Sequence, residues 1–294
     1  HGISIDDPTV FHPELSQQVD AECQSLACDW KSNPTQVQSA INNCRIDKQG
    51  PPWLPGAAQW RLGDEVVAPF ISHMWDMIGE DDRMPIQSST SCTFWINKPG
   101  KDPSFNTNRR GINAVEPIAK SYLTTLGDEI SAKVSETWHP TEFGGLPRRG
   151  TTHAIAIASE LTHRLRKNKI HHALFLGDEE RAFDNQGRTR IAKSLIKHAR
   201  DTPAVKRVLQ RLDYTVYQST AGELTACAVV QQGSIQGDPS GPLLYALSNH
   251  DYATELIENH KNTAMIGSKS LLFPQDRNNH QPTLQTIFYL DDEL

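Results

Sequence analysis

Ala173-Leu174-Phe175-Leu176-Gly177-Asp178 and, far downstream, Tyr289-Leu290-Asp291-Asp292 follow one pattern. Each is an apolar run that ends on carboxylate. A strand with acids at its tip is costly unless a cation sits there, and adjacent aspartates are charged together only beside a divalent ion or under strong hydrogen bonding. Two such strands are what a Mg²⁺-dependent phosphoryl-transfer site needs, because hard oxygen ligands hold the ions while substrate phosphates complete the shell.

Between them lies Gln232-Gly233-Ser234-Ile235-Gln236-Gly237-Asp238-Pro239-Ser240-Gly241-Pro242-Leu243-Leu244-Tyr245. Glycines at 233, 237 and 241 permit a tight backbone path that can approach a ligand closely. Pro242 suits the first turn of a helix, and Leu243, Leu244, Leu247 and Leu256 supply an apolar stripe behind it. An ordinary turn before a core helix is the plain alternative.

In order, Asp178-Glu179-Glu180-Arg181-Ala182-Phe183-Asp184, Gln236 to Tyr245, and Tyr289 to Asp292 resemble the A, B and C motifs of reverse transcriptases. The resemblance is to the enzymes of non-LTR (LINE-type) retrotransposons and to their group II intron relatives. Upstream, Trp95-Ile96-Asn97-Lys98-Pro99-Gly100-Lys101-Asp102-Pro103 is similar to that family's fingers segment, followed by Arg110-Gly111-Ile112. Glu116-Pro117-Ile118-Ala119-Lys120 and Phe143 to Ala154 fall in the family's order as well. The likeness spans roughly residues 90 to 294.

The resemblance implies an α/β (α+β) right-hand polymerase fold with fingers and palm, an antiparallel palm sheet and no thumb. Residues 1–85 would be a poorly defined extension, 86–172 fingers-like, and 173–294 a palm truncated after the Asp pair. It further implies template-directed nucleotidyl transfer: an RNA template, a DNA primer and dNTPs as partners, with two Mg²⁺ ions (or Mn²⁺ in their place). Asp178, Asp291 and Asp292 would be catalytic metal ligands. Phe183 would abut the sugar of the incoming nucleotide and exclude a 2′-hydroxyl, unless it is simply a core residue. Gln236 and Gly237 would lie beside that nucleotide, and Lys98 and Arg110 would pair with its triphosphate. Arg109 is an alternative to Arg110. Asp184 reads as a structural or capping acid, and Tyr289 equally as strand packing.

Composition sets bounds. A chain of 294 residues buries a substantial core, and no run of 18 apolar residues exists to cross a membrane. Cys23, Cys28, Cys44, Cys92 and Cys227 contain no Cys-x-x-Cys pair, so free thiols are expected over a zinc site. Net charge is −6, unevenly spread. Asn97 to Asp213 holds 21 basic against 13 acidic side chains, leaving 8 against 22 elsewhere. Such concentration is the electrostatic footprint of a surface facing phosphates, or else a set of solvated helix faces. The pattern predicts helices near 114–133, 151–168, 188–199, 204–212 and 242–259, and strands around Phe94 and over 173–177, 224–231 and 286–290. The first 85 residues read as irregular apart from an amphipathic stretch from Trp60 to Ile78.

Several positions depart from the family: Gly111 for proline, Glu179 for an apolar residue, and Ser240-Gly241 for an apolar residue and serine. The chain stops two residues after Asp292, so the fragment is expected to be inactive alone. A degenerate or domesticated palm that binds nucleic acid without catalysis, and an RNA-dependent RNA polymerase, are the alternatives. Location in nucleus or cytoplasm is only what the family implies.

Overall fold

The computed structural model describes residues 21, 25–26, 30–47, 54–80, 85–105, 108–138, 142–145, 147–169, 182–213, 215–221, 224–230, 232–234, 237–261 and 288–289. Within the stretch expected to be irregular, Asn33 opens helix α1 (Pro34–Asn43): its side chain accepts from Thr35 N at 2.9 Å, and Pro34 occupies a first turn where no donor is missed. Val37 and Ile41, one turn apart, form its buried side. After the short α2 (Ala57–Arg61), helix α3 (Asp64–Glu80) turns Ala68, Ile71, Trp75 and Ile78 inward.

A single turn, α4 (Ile86–Ser89), leads into β1 (Thr90–Asn97) and β2 (Arg109–Val115). Helix α5 (Pro117–Val134) follows, then β3 (Glu142–Phe143), α6 (Thr151–Lys167), α7 (Ala182–Asn185), α8 (Arg188–Ala199) and α9 (Ala204–Asp213). Strands β4 (Val216–Ala221) and β5 (Leu224–Val229), helix α10 (Gly241–Lys261) and strand β6 (Phe288–Tyr289) complete the described chain. The protein is of mixed α/β class.

Helix α5 is the centre of the core. Ile118, Tyr122, Leu126, Ile130 and Val134 share one cluster with Val37 and Ile41 of α1, Ile71 and Trp75 of α3, Ile191 and Leu195 of α8, Val205 and Leu209 of α9, and Leu243 and Leu247 of α10. The Tyr122 ring meets Trp30 edge-on at 5.5 Å and Trp75 at 5.1 Å. Residues 30–78 are thus built into the same core as the segments on either side of the glycine loop. On exposed α6, Ile157, Ala158, Leu161 and Leu165 are only half-buried, and Ala154 is the side chain it fully buries.

The described strands correct the expectation of an antiparallel sheet. Four of them form a mixed sheet in the order β2-β1-β4-β5. Strands β1 and β2 are antiparallel, as are β4 and β5, but β1 and β4 run parallel, with Thr90 opposite Val216 and Thr93 opposite Ser219. A second, two-stranded sheet pairs β3 with β6 in parallel. Residues 173–177, expected as a palm strand, lie outside the described residues. No helix among the described residues is long and apolar enough to cross a membrane.

Candidate functional site

The glycine loop is where separated segments meet. Gly233 N–H donates to the Gln186 carbonyl at 2.7 Å, and Ser234 N–H donates to the Phe183 carbonyl at 3.0 Å. Gln232 Nε2 adds a bond to the Asn185 carbonyl at 2.8 Å, and Arg188 Nε donates to the Gly233 carbonyl at 3.2 Å. The chain just beyond Asp178 is therefore stitched to the loop by backbone bonds. Gly233 has φ +81, in the left-handed region glycine favours. Gly237, at φ +98, passes so close to the Asn113 carbonyl of β2 that a Cβ there would overlap it.

After the loop, Asp238 Oδ1 accepts from Ser240 N–H at 2.9 Å and from the Ser240 hydroxyl at 2.6 Å. This Asx turn satisfies donors at the entrance of α10. Gln186 Nε2 reaches from the other segment to the Tyr245 carbonyl at 3.3 Å and to the Ser248 hydroxyl. Phe183 is half-buried, its ring 5.1 Å from that of Tyr245 and tilted by 35°. It packs on the helix while keeping part of its surface open.

Lys98 and Arg110 are brought onto one hairpin. Ile96 opposes Arg110, and Lys98 N–H continues the ladder to the Asn108 carbonyl at 2.8 Å. Cross-strand neighbours share a face, so the two cations are diagonal neighbours on the same side, next to exposed Phe94, Ile96 and Ile112. Arg109 points its guanidinium elsewhere, to the Pro103 carbonyl at 3.0 and 3.2 Å. Gly111 stands opposite Trp95, and a Cβ there would come within 3.3 Å of the indole. Glycine at 111 leaves room for that ring, whose Nε1 donates to Ser219 at 2.9 Å across the sheet.

The Asp178, Asp291, Asp292 and Gln236 assignments lie outside the described residues. Tyr289 is described at the backbone level: it pairs with Phe143, which brings the segment just before the Asp pair beside Phe143-Gly144-Gly145. Among the described residues no three His, Cys, Asp or Glu side chains gather as a metal set. The proposed ligands are all carboxylates, the hard oxygen donors that Mg²⁺ takes.

Two polar clusters escaped the sequence reading. Beneath the loop, Arg188, Arg211, Asp184, Asp238 and Tyr217 interact, and burial first of all pushes the Tyr217 phenol up to about 12. Arg188, Arg207 and Arg211 are all buried, so part of the basic excess of 97–213 lies inside the protein rather than on a phosphate-facing surface. Behind β3, the buried Glu142 Oε2 is 2.7 Å from His250 Nδ1. The His250 ring stacks on Trp138 at 4.5 Å and meets His198 edge-on at 5.0 Å. A polar residue inside an apolar helical pattern, such as Arg211 between Leu209 and Leu212, is the one signal that marks such groups in advance. No protein-family model matches the chain.

Proposed function

We propose that this chain is the fingers-and-palm part of an RNA-directed DNA polymerase of the LINE type, adding dNTPs to a primer 3′-hydroxyl. The observation that carries this reading is the convergence of three motif segments at the glycine loop. Gly233 is bonded to the Phe183–Gln186 turn, and Gly237 lies against β2, the strand that carries Arg110. In this reading Lys98 and Arg110 hold the triphosphate as charge-assisted donors. Phe183, braced by Tyr245, presents its edge to the sugar and rejects a 2′-hydroxyl. Gly237, held against the Asn113 carbonyl of β2, would lie beside the incoming nucleotide. Asp178, Asp291 and Asp292 would hold Mg²⁺, which when bound activates the hydroxyl and stabilises the leaving pyrophosphate.

The test is primer extension on poly(rA)/oligo(dT) with Mg²⁺, comparing the chain joined to a thumb domain with the Asp291→Ala variant of the same fusion. Extension by dTTP, absent with UTP and abolished in the variant, is the expected result. A folded protein that extends nothing would leave a palm that binds nucleic acid without chemistry. Equal use of UTP would favour an RNA polymerase.

A further inference from the structure

Arg211 on α9 and Asp238 in the glycine loop face each other in the interior, their side chains only 3% and 4% exposed, yet Nε and Oδ2 are 3.9 Å apart. That gap is too long for a hydrogen bond. Arg211 uses Nη1 fully, donating to the Ser89 carbonyl at 2.7 Å and the Thr215 hydroxyl at 3.2 Å. Its Nε and Nη2 have no acceptor within bonding range. A guanidinium edge buried without acceptors is costly, and the one anionic acceptor facing it sits on a loop. Asp238 moves with the entrance of α10, because its other oxygen holds Ser240. The same guanidinium is tied to Ser89, the residue before β1, and so to the root of the hairpin that carries Lys98 and Arg110.

We propose that Arg211 and Asp238 form a latch that sets the position of the glycine loop relative to the β1–β2 hairpin, and thereby places Gly237 for the incoming nucleotide. The second clause rests on the polymerase reading above. A shift of about 1 Å converts the 3.9 Å approach into a direct charge-assisted bond. Gly237, packed against the Asn113 carbonyl, ties the loop to β2, so a shift of the loop is felt at the hairpin. Both residues are positioning residues; neither touches the reacting atoms.

Asp238→Asn is the variant of choice, because the amide oxygen still accepts from Ser240 while the charge facing Arg211 is gone. Two readouts are taken: hydrogen exchange of the Gly233, Ser234, Gly237 and Ser240 amides in the chain itself, and KM and kcat for dTTP in primer extension by the chain joined to a thumb domain. Loop exchange should quicken roughly tenfold while the amides of α5 and α8 keep their protection. The KM should rise roughly tenfold with kcat held within about twofold. Arg211→Lys keeps the charge without the fork and should give a smaller effect, and the double variant should be no worse than Asp238→Asn alone. Unchanged loop exchange, or effects that simply add in the double variant, would overturn the latch. A wild type that extends no primer brings down the polymerase reading by itself, and the exchange data still decide whether the pair holds the loop.

Discussion

Gly233→Ala probes the join between the Phe183–Gln186 turn and the glycine loop directly. An alanine Cβ at 233 would stand 2.5 Å from the Phe183 carbonyl oxygen and 2.9 Å from both the Cα and the carbonyl oxygen of Asp184. All three are backbone atoms, so no side chain can swing aside. The left-handed φ alone costs an L-residue about 1–2 kcal/mol. Relieving the overlap means prising the segments apart, which stretches Gly233 N–Gln186 O and Ser234 N–Phe183 O, bonds worth about 1 kcal/mol each. The expected loss is roughly 3–4 kcal/mol, large against a typical folding free energy of about 5–15 kcal/mol. Gly100 supplies the control: its φ is +69, but a Cβ there meets nothing within 4 Å. Gly100→Ala should therefore cost only about 1 kcal/mol. Urea unfolding followed by fluorescence of buried Trp30, Trp75 and Trp138 measures both. A gap of about 2 kcal/mol between the variants is expected; equal costs within about 0.5 kcal/mol would refute the close approach at Gly233.

Two further outcomes are expected. Glu116 caps α5, its Oε2 accepting from Ala119 N–H at 2.7 Å, and burial raises its pKa above the ordinary 4.5 despite the backbone N–H groups of Ile118 and Ala119. The fold thus favours the protonated form, so this stability is fully present below pH 4.5 and is lost as pH rises through the raised folded value. Glu116→Gln keeps the cap acceptor without the charge, and its urea midpoint should pull ahead of the wild type as pH climbs above 4.5; parallel pH profiles would count against the assignment. For the hairpin, Lys98→Ala and Arg110→Ala should each flatten the salt dependence of single-stranded oligonucleotide binding, by roughly 0.7 in the slope of log K against log salt. A slope that does not move would remove that residue from the phosphate-binding surface.

What was legible in the sequence follows from the physics of each element. Helices α8, α9 and α10 announce themselves through apolar spacing at three and four residues, and the structure puts them at or within two residues of the expected bounds. Strand β2 was missed because Arg109-Arg110-Gly111 offers no apolar alternation; its pairing partner β1, not its own composition, makes it a strand. Helix α1 carried a readable start, Asn33-Pro34, but only two of its ten residues are buried, too few for a stripe. The mixed sheet was invisible for a different reason, since the parallel β1–β4 ladder joins residues far apart in the chain. Of the candidate site, the motif order named Lys98, Arg110, Phe183 and Gly237, and the structure describes where each of them sits. The partners of Arg211, Asp238, Glu142 and His250 were not legible, because tertiary contact decides which buried ionic group faces which.

The placement of Trp75 and Leu247 in one cluster has a consequence for synthesis. The N-terminal helices leave the ribosome long before α10 exists to cover them. At about 5–20 residues per second, the chain from Trp75 to Leu247 takes roughly 10–35 s to make. For that time Val37, Ile41, Ile71 and Trp75 lack part of their final packing and present an apolar surface to the surroundings. The parallel ladder adds to the delay, since β1 must wait for β4 and loop closure over so long a stretch is slow. A chain wired this way is most exposed to misassembly during synthesis in the interval before α10 emerges.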